Sequence, residues 1–149
     1  MTEEKKEPIF FQEGPIMPDK IASSIAHHSK KKNIGAHQIF MGQVREDEIN
    51  GRKVKAIEYF VYHEMAQKEM AKIRIEILLK YKLTCAHIIH SQGIVESGGI
   101  CFFVFVSAPH RTAVFDACTE MVNRIKKEVP IFGKEIFEDD SHQWKENKN

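Results

Sequence analysis

The amino-acid sequence predicts a single α+β domain, spanning residues 1–149, in which helices pack on a largely antiparallel sheet. The predicted elements follow the order β-α-β-β-α-β-β-α-β, a mixed alternation that is typical of this class. Of the 149 residues, 42% are hydrophobic and 29% are charged, which suits one ordinary globular domain. The longest apolar stretch, Ile100 to Val106, has seven residues. It is far too short to cross a bilayer as a helix and predicts a buried strand.

A short strand over Ile9–Gln12 is followed by glycine and prolines that break the chain before the first helix. That helix is predicted from about Pro18 to Lys32, because its apolar residues recur at three- and four-residue spacing. Three lysines, Lys30 to Lys32, fall at its C-terminal end, where the helix dipole favours cations. We interpret them as a solvated helix end, with partner binding as the less favoured alternative.

Two long strands are predicted next, over Ile34–Val44 and Val54–Tyr62, and we expect them to pair across the polar loop Arg45–Lys53. Gly35 and Gly42 interrupt the first of these strands. A glycine inside a strand usually marks a bulge or a close approach of another backbone.

The second half of the chain alternates helices and strands in the same manner. Apolar spacing predicts helices over His63–Lys82 and Arg111–Glu128, and Pro130 stops the latter. Apolar runs predict strands over Ala86–Ile89, Ile100–Ser107 and Ile131–Phe137. The tail from Glu138 to Asn149 is polar apart from Trp144, and no element is predicted there.

Charge and cysteine content exclude several classes of protein. The 22 Lys+Arg residues nearly balance the 21 Asp+Glu residues, which argues against nucleic-acid binding by bulk charge. The charged N-terminal segment carries no apolar run of the kind a secretory signal needs, and three cysteines without a C-x-x-C pair suggest no disulfide framework. We therefore expect a cytoplasmic protein. The histidines show no metal-ligand spacing and no phosphate-loop motif is present, so neither a metal nor a cofactor is predicted.

Cationic and imidazole groups collect at the ends of three predicted elements. Arg45 follows a strand, His110 and Arg111 open a helix after a proline, and Lys126 lies in the last turn of that helix. Guanidinium groups and helix N-termini both suit phosphate oxygens, so together these residues predict an anion pocket. Taken singly, each is better interpreted as a solvated charge.

Lys126 is flanked by Arg124 and Lys127. Nearby like charges disfavour the ammonium form, and a neutral amine could act as a base or nucleophile. From the residues alone, an ordinary surface lysine is the favoured interpretation.

Several motifs resemble the large, catalytic subunit of molybdopterin synthase, from about residue 8 to residue 145. The most specific are Val44-Arg45, Pro109-His-Arg111 and Lys126-x-x-Val-Pro-Ile131. Further matches in the family's order are Gly35-Ala, Phe40-x-Gly42, Gly51, Ile57-Glu-Tyr59, Tyr62, Met65-Ala66, His90-x-x-Gly93, Val104 to Ser107, Phe115-x-Ala117, Lys134-Glu135 and Trp144.

The resemblance implies an α/β hammerhead-type fold and a homodimer that binds a small ubiquitin-like sulfur-carrier subunit at each end, giving a heterotetramer. The carrier's C-terminal Gly-Gly thiocarboxylate would enter the large subunit, and two deliveries of sulfur would build the dithiolene of molybdopterin on cyclic pyranopterin monophosphate. By the same resemblance Arg45, His110 and Arg111 would bind the substrate, and the catalytic residues would be Lys126, beside the thiocarboxylate, and Lys134.

The family's second catalytic lysine falls on Gly133, within Pro130-Ile-Phe-Gly-Lys-Glu135, and Lys134 is one position further on. Neighbouring strand residues face opposite sides of a sheet, so Lys134 reaches the pocket only through a bulge. Three hypotheses follow. The chain is an active sulfurtransferase subunit, a catalytically impaired paralogue that serves as a carrier-binding scaffold or regulatory module, or an unrelated binder of phosphate ligands.

Overall fold

A computed structural model describes residues 8–146 of the chain. The charged segment 1–7, on which the expectation of no secretory signal rests, lies outside the described residues. The described part contains three helices, α1 Pro18–His28, α2 His63–Lys80 and α3 Arg111–Glu128. It also contains eight strands: β1 Phe11–Glu13, β2 Ala36–Gln43, β3 Glu48–Ile49, β4 Arg52–Val61, β5 Cys85–Glu96, β6 Ile100–Ala108, β7 Ile131–Phe137 and β8 His142–Trp144.

The strands form one sheet in the order β2-β6-β5-β4-β7-β8, with β1 added to β5 and β3 added to β4. Only the β1–β5 pair is parallel, and the other pairs are antiparallel. The predicted α+β class with a largely antiparallel sheet is therefore confirmed.

Strand β6 is buried on both faces, as its continuous apolar run predicts. Phe102, Val104 and Val106 belong to the main core, which also contains the apolar stripes of α2 and α3. The alternate residues Phe103 and Phe105 belong to a second cluster with Ile21 of α1. Since successive strand residues face opposite sides, the sheet separates α2 and α3 from α1.

Helix α1 is shorter than predicted, because it ends at His28 and the three lysines follow it. The amide of Ser29 still donates to the carbonyl of Ile25, but no apolar residue follows until Ile34, so a longer helix would bury nothing. The lysines therefore lie in the turn after α1 rather than in its last turn.

The predicted pairing of β2 with β4 is wrong. Strand β2 pairs with the apolar strand β6, whereas β4 lies between β5 and β7. Within the predicted loop, β3 and β4 form a tight hairpin through Asn50 and Gly51, which both have positive φ. This hairpin satisfies the backbone hydrogen-bonding groups of the loop. The partner of β2 is instead determined by the burial of its apolar residues against a strand that is distant in the sequence.

Two further strand segments extend beyond the prediction. Strand β5 continues past Ile89 to Glu96, because Gly93 adopts a φ of 77° and lets the strand bend from β6 towards β4. The tail contains β8, which pairs with β7.

Gly42 marks the predicted bulge, and Gly35 allows the close approach of the carbonyl of Pro109. Among residues 8–146, no helix combines the length and apolarity needed to cross a membrane.

Candidate active site

Lys126, in the last turn of α3, lies over the sheet with its ammonium nitrogen 5.9 Å from the ring centre of Phe102. The side chains of Arg45, Cys101 and Lys145 are near enough to act electrostatically on Lys126. Strand β2 delivers Arg45 just beyond its end, where the amide of Val44 donates to the carbonyl of Gly99 at 2.9 Å. Three cationic side chains from three elements thus surround one part of the sheet.

The environment of Lys126 lowers its pKa, which was the less favoured interpretation of the sequence, and the cause differs from the one considered there. Partial burial is the largest contribution, followed by the positive charge of Lys145 and, more weakly, of Arg45. The sequence neighbour Arg124 does not contribute, because its guanidinium contacts Glu76 and Glu128, each at 2.7 Å. Long-range packing rather than the adjacent charges therefore favours the neutral amine of Lys126.

The buried imidazole of His90 lies close to the ammonium groups of Lys126 and Lys145. The ring of His90 packs 5.0 Å from the ring of Tyr59 and 5.2 Å from that of Phe102, measured between centres. Its Nδ1 lies 2.7 Å from the carbonyl oxygen of Ser91. Burial lowers the pKa of His90 to about 4, and the charges of Lys126 and Lys145 act in the same direction. His90 is therefore neutral at physiological pH.

Tyr59 also keeps its neutral form. Burial raises the pKa of its phenol, and a hydrogen bond and electrostatic contact with Cys101 raise it further. The phenol and the imidazole carry no charge, and the acidic groups nearby are Glu135, which acts electrostatically on Tyr59, and Asp47, 3.4 Å from the guanidinium of Arg45. The two ammonium groups of the site still favour an anionic ligand.

The lowered pKa of His90 predicts a pH dependence of stability. Below pH 6.5 the unfolded chain takes up a proton at this histidine, whereas the folded protein does so only near pH 4. The unfolded state therefore binds more protons in this window, and the free energy of unfolding falls as the pH falls. We expect His90→Gln to reduce that slope in urea denaturation, whereas His142→Gln, at an exposed strand position, should leave it unchanged. An equal slope in the wild type and His90→Gln would contradict this assignment.

Lys145 is the site residue that the sequence did not predict. It directly follows β8, and its amide donates to the carbonyl of Gly133 at 2.8 Å. The β7–β8 register pairs Lys134 with Trp144, so Lys145 lies opposite Gly133. Directly opposed residues of antiparallel strands share a face. Because Gly133 in turn pairs with Tyr59, Lys145 is on the face of Tyr59 and has no side chain from Gly133 in its way. The polar tail offered no signal for this placement.

Lys134 lies on the other face of the sheet. It pairs with Glu58 across β4 and β7, and its ammonium nitrogen is 3.3 Å from a carboxylate oxygen of that residue and 5.4 Å from the ring centre of Phe60. The register is unbroken from Glu135 to Ile131, so the bulge that would turn Lys134 towards Lys126 is absent from this strand. Within one chain, Lys134 does not join the site.

The predicted convergence of Arg45 with His110 and Arg111 is also not found within one chain. Arg45 lies beyond the Gln43–Ile100 end of the β2–β6 pair, whereas His110 and Arg111 follow the Ala36–Ala108 end. At about 3.4 Å per residue, the eight steps of β6 between those ends separate them by roughly 27 Å. His110 and Arg111 are exposed at the start of α3, and Lys126 is at its far end.

The fold and the site together define a class of protein. A rigid α+β scaffold places two ammonium groups and a guanidinium beside a neutral imidazole, and a lysine with a lowered pKa is a frequent feature of catalytic sites. This is the chemistry of an enzyme subunit that acts on an anionic substrate.

Comparisons with known proteins identify the family. The family model described as MoaE protein matches residues 11–128. A molybdopterin synthase catalytic subunit of Pyrococcus abyssi is 41% identical over 110 residues, which cover 74% of this chain and 73% of the relative. One from Bacillus subtilis is 37% identical over 130 residues, covering 87% and 79% respectively. The chain belongs to the MoaE protein family.

Solved structures agree with this assignment. The crystal structure of molybdopterin synthase from Staphylococcus aureus superposes with a TM-score of 0.80 at 32% identity. The match covers 97% of this chain and 100% of the other. A chain from the complex of subunits 1 and 2 of the molybdopterin-converting factor of Helicobacter pylori gives a TM-score of 0.79, covering 94% of this chain and 91% of the other. Its 15% identity makes that match one of fold alone.

Proposed function

We propose that this chain is a catalytic subunit of molybdopterin synthase and works in the biosynthesis of the molybdenum cofactor. It transfers sulfur from the C-terminal Gly-Gly thiocarboxylate of a small carrier subunit to cyclic pyranopterin monophosphate, forming the dithiolene of molybdopterin. The observation that carries this proposal is the cationic group of Arg45, Lys126 and Lys145 beside neutral His90. A thiocarboxylate and a phosphate are both anions, and positive groups in a partly desolvated site stabilise them. Residues 1–149 act as one domain, in the cytoplasm.

Lys126 is the residue that we assign to the acyl carbon of the carrier. Its lowered pKa raises the fraction of neutral amine at physiological pH, so the side chain can exchange a proton during sulfur transfer. Arg45 provides a permanent positive charge that suits the phosphate of the substrate. The role that the resemblance gave to Lys134 passes to Lys145, because Lys145 is on the face of Tyr59 and Lys134 is on the opposite face.

His110 and Arg111 are assigned to the substrate in a homodimer. The roughly 27 Å between them and Arg45 means that they serve a site only if a second copy brings its own pair to the Arg45 end. A two-fold interface repeats each contact in both directions, so one such arrangement would complete two sites. Two sites would accept two carriers and give the heterotetramer.

A small ubiquitin-like carrier subunit is the expected partner. Support comes from the Helicobacter pylori structure of similar fold, which was solved as a complex of its two subunits. We expect light scattering to give the mass of a homodimer for the chain alone and of a heterotetramer after addition of the carrier. A monomer at micromolar concentration, both with and without the carrier, would contradict the assembly.

The two other hypotheses are less favoured. A carrier-binding scaffold would use cations to hold the carrier's C-terminus but would need no amine with a lowered pKa such as Lys126, and the curated relatives that match most of the chain are named catalytic subunits. A binder of unrelated phosphate ligands has no support from the family match. Reconstitution decides among them: the chain, a thiocarboxylated carrier and cyclic pyranopterin monophosphate should yield the dithiolene product. Carrier binding without product would favour the scaffold, and binding of the phosphate substrate without any carrier binding would favour the third hypothesis.

A further inference from the structure

A second cluster of reactive side chains lies on the α1 side of the sheet. His28 ends α1, Cys85 begins β5, and His87 follows two residues later on the same face of that strand. The potential ligand atoms of these three residues, two imidazole nitrogens and one sulfur, all lie within 4.8 Å of one another. No metal-ligand spacing in the sequence predicts this cluster, because His28 lies far along the chain from Cys85 and His87.

The imidazole of His28 is oriented with one ring nitrogen available as a ligand. Its side chain is only 1% exposed, and its Nδ1 lies 2.6 Å from the carbonyl oxygen of Ser24. A carbonyl only accepts, so Nδ1 carries the hydrogen and Nε2 of the neutral ring presents its lone pair. That Nε2 is buried and has no hydrogen-bond partner among the described residues. Metal-bound histidines typically use this arrangement, in which a carbonyl fixes the tautomer of the ring.

The rings around His28 fix its direction. His87 packs 4.5 Å from it and Phe105 packs 4.8 Å from it, measured between ring centres, both edge to face. The imidazole is therefore wedged between β5, β6 and its own helix. Because His28 is also in the last turn of α1, the negative end of the helix dipole favours a cation there.

The sulfur of Cys85 accepts a hydrogen bond from the ammonium of Lys31, whose nitrogen lies 2.7 Å away. This contact gives a specific role to one of the three lysines after α1. Lys31 is exposed, so its flexible side chain can move into solvent when another cation approaches the sulfur. It therefore competes with a metal ion without blocking it permanently.

The two histidines of the cluster line a surface cleft, whereas Cys85 does not. A surface cleft of about 610 Å³ is lined by Asp19, Ser23, His27, His28 and His87, among others. A hydrated ion can reach both imidazoles through this cleft, and one coordination position can remain open to water.

We propose that His28, Cys85 and His87 form a binding site for Zn²⁺, with Lys31 displaced from the sulfur when the ion binds. Two imidazoles and one cysteine sulfur are a ligand set that zinc accepts, with a fourth position left for water. The site ties the end of α1 to the start of β5. It lies on the opposite side of the sheet from α3 and needs nothing from the sulfur-transfer reaction.

Titration of the full-length protein with Co²⁺, which gives intense absorption when bound by a thiolate, tests the proposal. We expect a stoichiometric sulfur-to-metal band that Zn²⁺ abolishes by competition. Cys85→Ser should remove the band, and His87→Gln should weaken binding by about tenfold or more. Cys118→Ser, at a buried cysteine of α3, is the matched control and should leave the band unchanged.

Lys31→Met is the most discriminating variant for Co²⁺ binding, because it removes the competing cation while keeping much of the side-chain length. It should bind Co²⁺ more tightly than the wild type does. Zn²⁺ should also raise the thermal midpoint of the wild type but not that of His87→Gln, a comparison that does not depend on activity. A band that survives Cys85→Ser, weaker binding by Lys31→Met, or no binding by any variant would overturn the proposal.

Discussion

Replacing Lys126 with alanine should reduce dithiolene formation by at least about a hundredfold, the range lost with a group that transfers a proton in the transition state. The ammonium lies over Phe102, and partial burial together with Lys145 and Arg45 lowers its pKa. Among the described residues, Lys126 is the amine in the last turn of α3 that lies over the ring of Phe102. Single-turnover reconstitution with a thiocarboxylated carrier measures the effect directly.

The fold of this variant should be intact, because Lys126, like Lys127, is exposed and is not a member of the apolar core. Lys127→Ala is the matched control, since Lys127 is the next residue on the helix and is exposed. Circular dichroism and light scattering should be the same for both variants. Near wild-type turnover by Lys126→Ala would disprove the lysine-centred mechanism, and equal losses in both variants would indicate an effect on helix α3 rather than on chemistry.

Local signals were sufficient to predict several elements. Helix α3 begins at Arg111 and ends at Glu128 as predicted, because prolines on both sides fix where a helix can begin and end. Strand β7 matches its predicted span for the same reason, since Pro130 separates it from the helix. The buried strand Ile100–Val106 was predictable from its composition alone.

Strand pairing was not predictable from local signals. The partner of β2 is β6, more than fifty residues away in sequence for every pair of the ladder. That choice depends on which apolar faces meet, a property of the whole sheet. The same long-range register separates Arg45 from His110 and Arg111, so residue types that suit one anion pocket lie at opposite ends of β6.

The tail shows the same limit at the candidate site. Trp144 and Lys145 follow a polar segment with no strand pattern, yet β8 pairs with β7 and brings Lys145 opposite Gly133. A residue-by-residue comparison with the family places Gly133 where the family has its second catalytic lysine. The neighbouring strand supplies an amine on the same face, which becomes apparent only when the register of β7 and β8 is known.

Lys145→Ala should lower the rate of dithiolene formation by about tenfold or more, because it removes one of the two ammonium groups that we assign to the anionic thiocarboxylate. It should also change the pH dependence of the rate. Loss of a neighbouring positive charge favours the ammonium form of Lys126, so the pKa of Lys126 rises and the corresponding limb of the pH–rate profile moves to higher pH. A purely structural role for Lys145 would not produce that shift. Lys134→Ala, on the opposite face, is the control and should retain its activity and profile.

Gly133→Lys tests whether Lys145 supplies the amine that is absent at position 133. In the Lys145→Ala background it should restore much of the rate, because positions 133 and 145 lie opposite each other on one face of β7 and β8. In the wild type it should give no gain, since Lys145 already supplies the amine and the added Cβ would lie 3.1 Å from a methyl of Ile57 and 3.4 Å from the ring of Tyr59. A gain in the wild type, or a loss of activity in Lys134→Ala without one in Lys145→Ala, would return the catalytic role to the family position or to Lys134.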